Sequence, residues 1–551
     1  MPDPRLAILE VSGMTCDDCA SHVTSALEQA GALDVSVTWQ DGQALFTWPE
    51  EIAEIDLRAA VSGAGYRPGD LKLSEVSEKL PLQVDRDKDY DLIVIGAGSA
   101  AFAAAIKATE AGYRVALVEE GTLGGTCVNV GCVPSKALLK AGELAWAAEN
   151  HPFIGVNASL ESVDLAQIVL QKDQLVSTLR QVKYADLVED YGFTVLSGHA
   201  RFSSSNVVEV DGKPVTASKI LVATGASPSI PPIPGLNESE FLTSTTALEL
   251  KDVPRSIAVI GANAIGLELG QFFLHLGSKV TFIDVANRIA PFEEPEISGA
   301  LSEFLTAQGA LIYTSANIAG VSTKDGRRVI HLNIGIEPHD VEVDQILVAT
   351  GRRPNTEGLG LEQAGIETDA RGAVVVDDHL RTSNPSVYAA GDVTGAPQFV
   401  YVSAYEGALA VDNALLGFGR VIDFRGLPRV TFTSPQIASA GLTEAQARES
   451  GYEVVTSILP VDAIPRALVN RETKGLFKLV AEVGTGKLLG ASIMAEGAGE
   501  VIQSAVLAIK YGISVDDLAS TFHPYLTMVE GLKLAAQTFT RDVHKLSCCA
   551  A

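Results

Sequence analysis

Six cysteines stand in this 551-residue chain, and they form three close pairs: Cys16/Cys19, Cys127/Cys132 and Cys548/Cys549. Paired thiolates can hold a soft metal ion between two sulfurs, or pass two electrons by opening and closing a disulfide. No cysteine lies outside a pair, so sulfur is not used here as a core filler. The layout points to one soft ligand, or one pair of electrons, handed between thiol pairs. Cys16 and Cys19 form a bare C-x-x-C, which by itself admits soft-metal capture, a redox dithiol or half a zinc site. Cys127 and Cys132 stand at the predicted start of a helix, where the dipole and a nearby cation would lower a thiol pKa. Cys548 and Cys549 occupy a short polar tail; the ending also fits a loose prenylation pattern, but no polybasic segment accompanies it.

Those pairs need elements to position them. Asp91–Ile95 reads as a buried parallel strand running into Gly96-Ala97-Gly98-Ser99-Ala100-Ala101 and an alanine-rich helix. The next strand, Arg114–Val118, ends on Glu119, about twenty residues beyond the fingerprint, where a carboxylate can bond ribose hydroxyls. Gly96 permits the tight turn, Gly98 lets a pyrophosphate approach the backbone, Ala101 closes the fingerprint, and the helix N-terminus favours the negative charge. Ser256–Ile260 repeats the device, entering Gly261-Ala262-Asn263-Ala264-Ile265-Gly266, with Lys279–Ile283 ending on Asp284. Asn263 in place of the middle glycine makes this match softer. Asp284 favours NADH over NADPH, and Arg288 nearby could blur that preference. Two such units imply two nucleotides.

The N-terminal residues read as a separate module: strand Leu6–Val11, helix Asp18–Gln29, strands Asp34–Trp39 and Ala44–Trp48 around an Asp41-Gly42 turn, then helix Ile55–Ser62. A charged stretch from Lys72 to Asp89 reads as a tether. Beyond about residue 425 strands are followed by long amphipathic helices such as Gly499–Tyr511, as in an interface domain. The formal net charge of −27 argues against nucleic acid and against anionic lipid. The opening residues lack an apolar signal core, and the longest apolar run, Leu92 to Ile106, is too short to span a bilayer. The expectation is a cytoplasmic protein without membrane insertion.

The run Gly124-Gly125-Thr126-Cys127-Val128-Asn129-Val130-Gly131-Cys132-Val133-Pro134-Ser135-Lys136 resembles the redox-active segment of the pyridine nucleotide–disulfide oxidoreductases. Ala223-Thr224-Gly225, Ala349-Thr350-Gly351-Arg352-Arg353-Pro354-Asn355, Ala390-Gly391-Asp392 and His523-Pro524 extend the resemblance over residues 90 to 551. It implies FAD in the first site, NADH or NADPH in the second, and a homodimer whose active sites are shared between subunits. It places Gly125, Thr126, Lys136, Thr224, Gly225 and Asp392 at the flavin and Gly261, Gly266, Asp284 and Gly351 at the nicotinamide cofactor. It also implies that Cys132 faces the flavin, that Cys127 exchanges with substrate, and that Lys136 and Glu268 pair near the flavin.

The implied fold is α/β, with two Rossmann-like domains, an α+β dimerisation domain and a preceding ferredoxin-like βαββαβ metal-binding domain. The expected divisions are residues 1–70 for the metal-binding module, 71–89 for the linker and 90–240 for the first part of the FAD domain. Residues 241–355 form the NAD(P)H domain, 356–424 the second FAD part, and 425–551 the dimerisation domain with its Cys-Cys tail.

Members acting on organic disulfides place a Glu five residues after the His; here that position is Met528, and Glu530 is two too late. From His523 onward the chain, like Tyr184, resembles the mercuric-ion-reducing branch of the family. That implies Tyr184 and Tyr525 at the metal site and delivery of the ion by Cys548 and Cys549 of the partner subunit. Gly13-Met14-Thr15 before Cys16, with the module's strand order, resembles the heavy-metal-associated domain and selects soft-metal capture by Cys16 and Cys19. The expected activity is reduction of Hg(II), carried by small thiols, to volatile Hg(0), with a mercury-transport protein as a further partner. The competing readings are a dihydrolipoamide- or glutathione-type disulfide reductase with a fused metal domain, and a sequestering protein with a vestigial fold.

Overall fold

The computed structural model describes residues 5–39, 42–49, 52–74, 87–542 and 545. Asp41 of the expected turn, most of the tether, and Cys548 and Cys549 lie outside the described residues.

The N-terminal module runs Arg5–Ser12 (strand), Asp17–Gln29 (helix), Leu33–Thr38 and Gln43–Trp48 (strands), Glu54–Gly63 (helix) and Arg67–Ser74 (strand). The first strand lies between the third and fourth, all antiparallel, which is the ferredoxin-like βαββαβ arrangement. Ala7, Leu9 and Val11 alternate inward along the first strand, while Val23/Leu27 and Leu57/Val61 sit one helical turn apart on the buried helix faces. The last strand runs past the boundary expected at residue 70. Leu71 pairs with Leu9 and Lys72 with Ile8, so residues 71–74 belong to the sheet rather than to the linker. Charge hid the strand period there: Lys72 alternates with Leu71 and Leu73, and its ammonium lies 3.2 Å from Glu10.

The chain divides into two compact units, Met1–Leu123 with Leu187–Gly225 and Pro354–Ile422, and Gly124–Asp186 with Ala226–Arg353 and Asp423–Ala551. In the first, parallel strands Thr194–Ser197, Val115–Glu119, Tyr90–Ile95, Lys213–Val222 and Val387–Ala389 lie side by side. Leu92 to Ile95 and Val115 to Val118 are buried without interruption, as strands covered on both faces must be. Helix Ser99–Glu110 packs closely on helix Val400–Ala414: a Cβ added at Gly407 would fall 2.1 Å from the Ala100 carbonyl oxygen.

The second unit holds a five-stranded parallel sheet ordered Leu242–Thr243, Gln345–Val348, Ser256–Ile260, Lys279–Ile283 and Leu311–Tyr313. Helix Ala264–His275 lies against it and is nearly all buried, because helix Cys132–Asn150 also packs on it through Gly142 and Phe272. The C-terminal part is an antiparallel sheet ordered Pro428–Thr431, Gln436–Gly441, Leu488–Ala495, Leu476–Glu482 and Val454–Pro460. Helix Ala498–Lys510 covers it with Val501, Ile502, Ala505 and Ala508. Lys478 lies inside this unit with its ammonium 3.1 Å from Glu294, 2.9 Å from Glu296 and 3.0 Å from Glu444. Among the described residues no helix is long and apolar enough to cross a membrane.

Candidate redox and metal sites

Two helices, not one, carry the central cysteine pair. The chain turns through left-handed Gly124 (φ 96°) and Gly125 (φ 59°), forms the short helix Gly125–Val130, breaks at Gly131 and restarts as Cys132–Asn150. Cys127 sits in the short helix and Cys132 is the first residue of the long one. A side chain at Gly131 would come within 2.9 Å of the Thr126 carbonyl oxygen and 3.2 Å of the Cys127 Cα, so glycine is what lets the two segments close up. Both thiols are free. The hydrogen bond from Cys127 brings the Cys132 thiol down to about 7, against the cost of burial and with help from the Lys136 charge. The same bond, followed by burial, pushes Cys127 up. Cys132 is therefore the more readily ionised thiol of the pair, at a helix N-terminus that favours negative charge, and Cys127 the less.

One turn along the long helix, Lys136 Nζ lies 2.7 Å from Glu268 Oε2, and Glu268 Oε1 accepts the Phe432 amide at 2.8 Å. The Lys136 ammonium also lies 4.6 Å from the centre of the Phe432 ring. Phe432 is a neighbour that sequence reasoning missed; nothing local marks it, since it meets the pair only through folding. Arg352 reaches the segment too, donating to the Ala226 carbonyl and, at 3.4 Å, to Thr126 Oγ1.

Tyr184 lies in a π-helical turn, Gln181–Ala185, a form that recurs at functional sites. Its ring packs on the turn leading into Cys127: ring carbons stand 3.2 and 3.3 Å from where a Gly124 side chain would begin. Tyr525 is 61% exposed and is followed by Leu526 in the left-handed region (φ 65°). The His523 ring donates from Nδ1 to the Thr521 carbonyl at 3.0 Å, and Met528, half-buried, packs against the apolar core of the C-terminal sheet.

In the first unit, Gly96 (φ 114°) passes so close beneath Ala223 that a Cβ would sit 2.4 Å from its carbonyl oxygen. Gly98 caps helix Ser99–Glu110, and Ala101 is buried in its first turn. Glu119 Oε1 accepts the Gly121 amide at 2.7 Å. Thr224, beside Gly225, exchanges hydrogen bonds with Asn355: Thr224 Oγ1 donates to its carbonyl at 2.6 Å and Asn355 Nδ2 donates back at 2.9 Å. Asp392 opens a 3₁₀ turn after Gly391, whose amide is held at 2.6 Å by the buried Glu406. A bare glycine turn at a helix N-terminus, with a carboxylate at the end of the next strand, fits the dinucleotide FAD.

The second cradle repeats the geometry. A Cβ at Gly261 would lie 2.4 Å from the Ala349 carbonyl oxygen, and one at Gly266 would lie 1.9 Å from that of Gly261. Asn263 caps helix Ala264–His275 in an extended conformation (φ −114°) open to any residue, so the missing middle glycine costs the turn nothing. Asp284 holds the loop with both oxygens, accepting from the amides of Ala262 (2.6 Å) and Ala286 (2.8 Å). Arg288 turns inward and donates to the carbonyls of Pro291 (2.8 Å) and Glu293 (2.9 Å). Gly351 (φ 110°) accepts the Ser229 amide at 2.9 Å.

In the N-terminal pair Cys16 Sγ lies 3.0 Å from Cys19 Sγ at the start of helix Asp17–Gln29. The Cys16 thiol first, then the Thr15 backbone and the Tyr66 hydroxyl, bring the Cys19 thiol down to about 6. Tyr66, just ahead of the last strand, also escaped sequence reasoning. Two adjacent sulfurs, one a ready thiolate, suit a soft ion of low coordination number.

Comparison with known proteins agrees with this geometry. Residues 90–407 match the pyridine nucleotide-disulphide oxidoreductase model, 427–536 the dimerisation domain of the same family, and 8–67 the heavy-metal-associated domain. The chain is 52% identical to a mercuric reductase of Staphylococcus aureus over 98% of both chains. It is 43% identical to a mercuric reductase of Acidithiobacillus ferrooxidans, again over 98% of each. Among solved structures, the HOCl-induced flavoprotein disulfide reductase RclA of Escherichia coli, as a Cu(II) complex, superposes with a TM-score of 0.73 at 31% identity, covering 82% of this chain and 99% of that one. The chain belongs to the pyridine nucleotide-disulphide oxidoreductase family and, within it, to the mercuric reductases.

Proposed function

We propose that the chain catalyses NAD(P)H + Hg(II) → NAD(P)⁺ + Hg(0) + H⁺ and thereby detoxifies mercury. The observation that carries this reading is the free Cys127/Cys132 pair, with Cys132 the more acidic thiol, next to the Lys136–Glu268 pair in a chain with two dinucleotide cradles. FAD, when bound, carries two electrons from the nicotinamide to the metal-binding pair. Gly96, Gly98, Ala101, Glu119, Gly125, Thr126, Lys136, Thr224, Gly225 and Asp392 are the residues that would hold it. Gly261, Gly266, Asp284 and Gly351 hold NAD(P)H.

The cysteines act as ligands and as an exchange relay. Cys127, the exchanging cysteine, takes the incoming ion from its small thiol, passing its proton to the departing thiolate, and Cys132, the more acidic of the two, supplies the second sulfur. Tyr184 flanks the pair, and Tyr525 closes the site from the partner subunit. Neutral Hg(0) leaves because thiolates hold it poorly. Cys548 and Cys549 of the partner subunit deliver the ion, and Cys16 and Cys19 collect it from a transport protein or small thiols. The chain is a homodimer through its dimerisation domain, and each active site uses both subunits. It works in the cytoplasm, where thiols stay reduced. The module, linker, nucleotide and interface divisions expected from sequence serve as the proposed working domains, with the first sheet running to Ser74.

Organic disulfide reduction is the weaker reading, because Met528 occupies the position of the carboxylate that would orient His523 and instead packs against apolar core. The test is oxidation of NADH and NADPH by the purified flavoprotein, with Hg(II) in excess small thiol and volatile mercury trapped. Matching oxidation and Hg(0) release is expected. Oxidation that needs a disulfide and ignores Hg(II) overturns the proposal.

A further inference from the structure

Glu406 is fully buried, at 0% exposure, in the helix behind the first nucleotide cradle. Its Oε2 accepts the Gly391 amide at 2.6 Å, which fixes the residue before Asp392. Its Oε1 is buried with no hydrogen-bond partner among the described residues. A buried carboxylate oxygen without a donor is costly, and the cost disappears if that oxygen carries a proton and finds an acceptor.

The surroundings favour the neutral acid. Asp392 faces Glu406 from the 3₁₀ turn. Helix Ser99–Glu110 presents Ala100 to the neighbouring Gly407, and its Lys107 is engaged with Asp412 further along, as is Arg420. Among the described residues no cation is set against Glu406. Burial first, offset by the Gly391 amide and reinforced by the Asp392 charge, pushes its carboxyl up to about 7.

We propose that Glu406 is a positioning residue of the flavin cradle, held as the neutral acid when FAD is bound, so that FAD binding takes up a proton at this side chain. Oε2 fixes Gly391 and hence Asp392, and the hydroxyl on Oε1 donates to an acceptor oxygen, of the flavin nucleotide or of a water it orders. The linkage follows from charge. FAD brings a negatively charged pyrophosphate toward a carboxyl that already feels Asp392, so it binds the neutral form better. Affinity is then highest below pH 7 and falls as the pH rises through and beyond it. This rests on the assignment of Asp392 to the flavin cradle.

The experiment is fluorescence titration of the full-length, deflavinated protein with FAD between pH 6 and 9, for the wild type, Glu406→Gln, Glu406→Ala and Asp392→Ala. Glutamine keeps an acceptor for Gly391 and a neutral donor. For the wild type, the FAD dissociation constant is expected to rise by up to about tenfold per pH unit above pH 7, the limit for one linked proton. Glu406→Gln should bind as tightly as the wild type does at pH 6 and lose that slope, while Glu406→Ala should bind weakly at every pH. Glu406→Gln with the wild-type slope, or with affinity as poor as Glu406→Ala, overturns the proposal. If Asp392→Ala binds FAD unchanged, the assignment of the cradle fails instead. Infrared difference spectra of the holoprotein give a second reading: a protonated-carboxyl band present at pH 6 and missing in Glu406→Gln is expected, and its absence from the wild type counts against the neutral acid.

Discussion

Glu268 answers Lys136 with one carboxylate oxygen and the Phe432 amide with the other, so a single side chain ties the cysteine-bearing helix to the start of the C-terminal sheet. The ammonium that helps keep Cys132 a thiolate is thereby fixed in place, with an aromatic face as its third wall.

Lys136→Met should therefore raise the Cys132 thiol from about 7 toward the ordinary range. In the two-electron-reduced protein, alkylation by iodoacetamide at pH 7 should slow by about fivefold, the fall in thiolate that a rise of one pKa unit from about 7 gives at that pH. A pH–rate profile checks this, and an unmoved midpoint would show that the Cys127 hydrogen bond alone sets the thiolate.

Asp284 and Arg288 make opposite statements about the nicotinamide cofactor, and the geometry weakens one of them. Arg288 is spent on the carbonyls of Pro291 and Glu293, whereas Asp284 stands at the cradle itself. NADH should be used at least as well as NADPH, and Asp284→Ala should cost NADH about ten- to a hundredfold in kcat/KM, the worth of a charged hydrogen bond. NADPH should lose less. Steady-state kinetics with both cofactors decide it; a wild type strongly favouring NADPH refutes the assignment.

In the N-terminal module, Tyr66→Phe removes one of the donors that bring Cys19 to about 6, leaving Cys16 and the Thr15 backbone. Because the thiolate forms above that pH, the effect is confined to mildly acid solution. Alkylation of Cys19 near pH 6 should slow by about twofold, the fall in thiolate that half a pKa unit gives at that pH, and converge with wild type at pH 9. Mass spectrometry of the labelled peptide reads it; equal rates at both pH values would leave the tyrosine without an electrostatic role.

Lys478 is 2% exposed and surrounded by Glu294, Glu296 and Glu444. Lys478→Met keeps the length and removes the charge, stranding the buried Glu294 carboxylate, so stability should fall by about 3–5 kcal/mol at pH 7. Glu444 is held low by Arg448 and then Lys478. Its stabilising share is complete above the unfolded carboxyl range and lost as the pH falls through its folded value. The gap between variant and wild type should accordingly narrow toward pH 4. Denaturant midpoints at the two pH values test this, and a loss below about 1 kcal/mol at pH 7 contradicts it.

Both nucleotide cradles and the central cysteine segment could be read from sequence because each requirement is local. Gly96 and Gly261 must pass under a neighbouring carbonyl, and Gly131 must let Cys132 reach Cys127. The Lys136–Glu268 pair, 132 residues apart in the chain, was legible only through family resemblance. Phe432, Tyr66 and Glu406 were not legible at all, since their roles come from which elements the fold sets side by side. The strand end at Ser74 was lost for another reason: charged residues on the open face of an edge strand look like linker.

The π-helical turn at Gln181–Ala185 means that this helix stores one residue more than its neighbouring α-helical turns would use. Length is therefore a local variable here. Removing a single residue would let the turn relax to α-helix and swing Tyr184 by about 100° around the axis relative to the residues before it. Elsewhere such a deletion would break a helix; at this point it would leave a continuous helix and aim one phenol elsewhere. Natural loss or gain of one residue in this turn is a route by which the same scaffold can gain or surrender a side chain at the cysteine pair without any substitution in the pair itself.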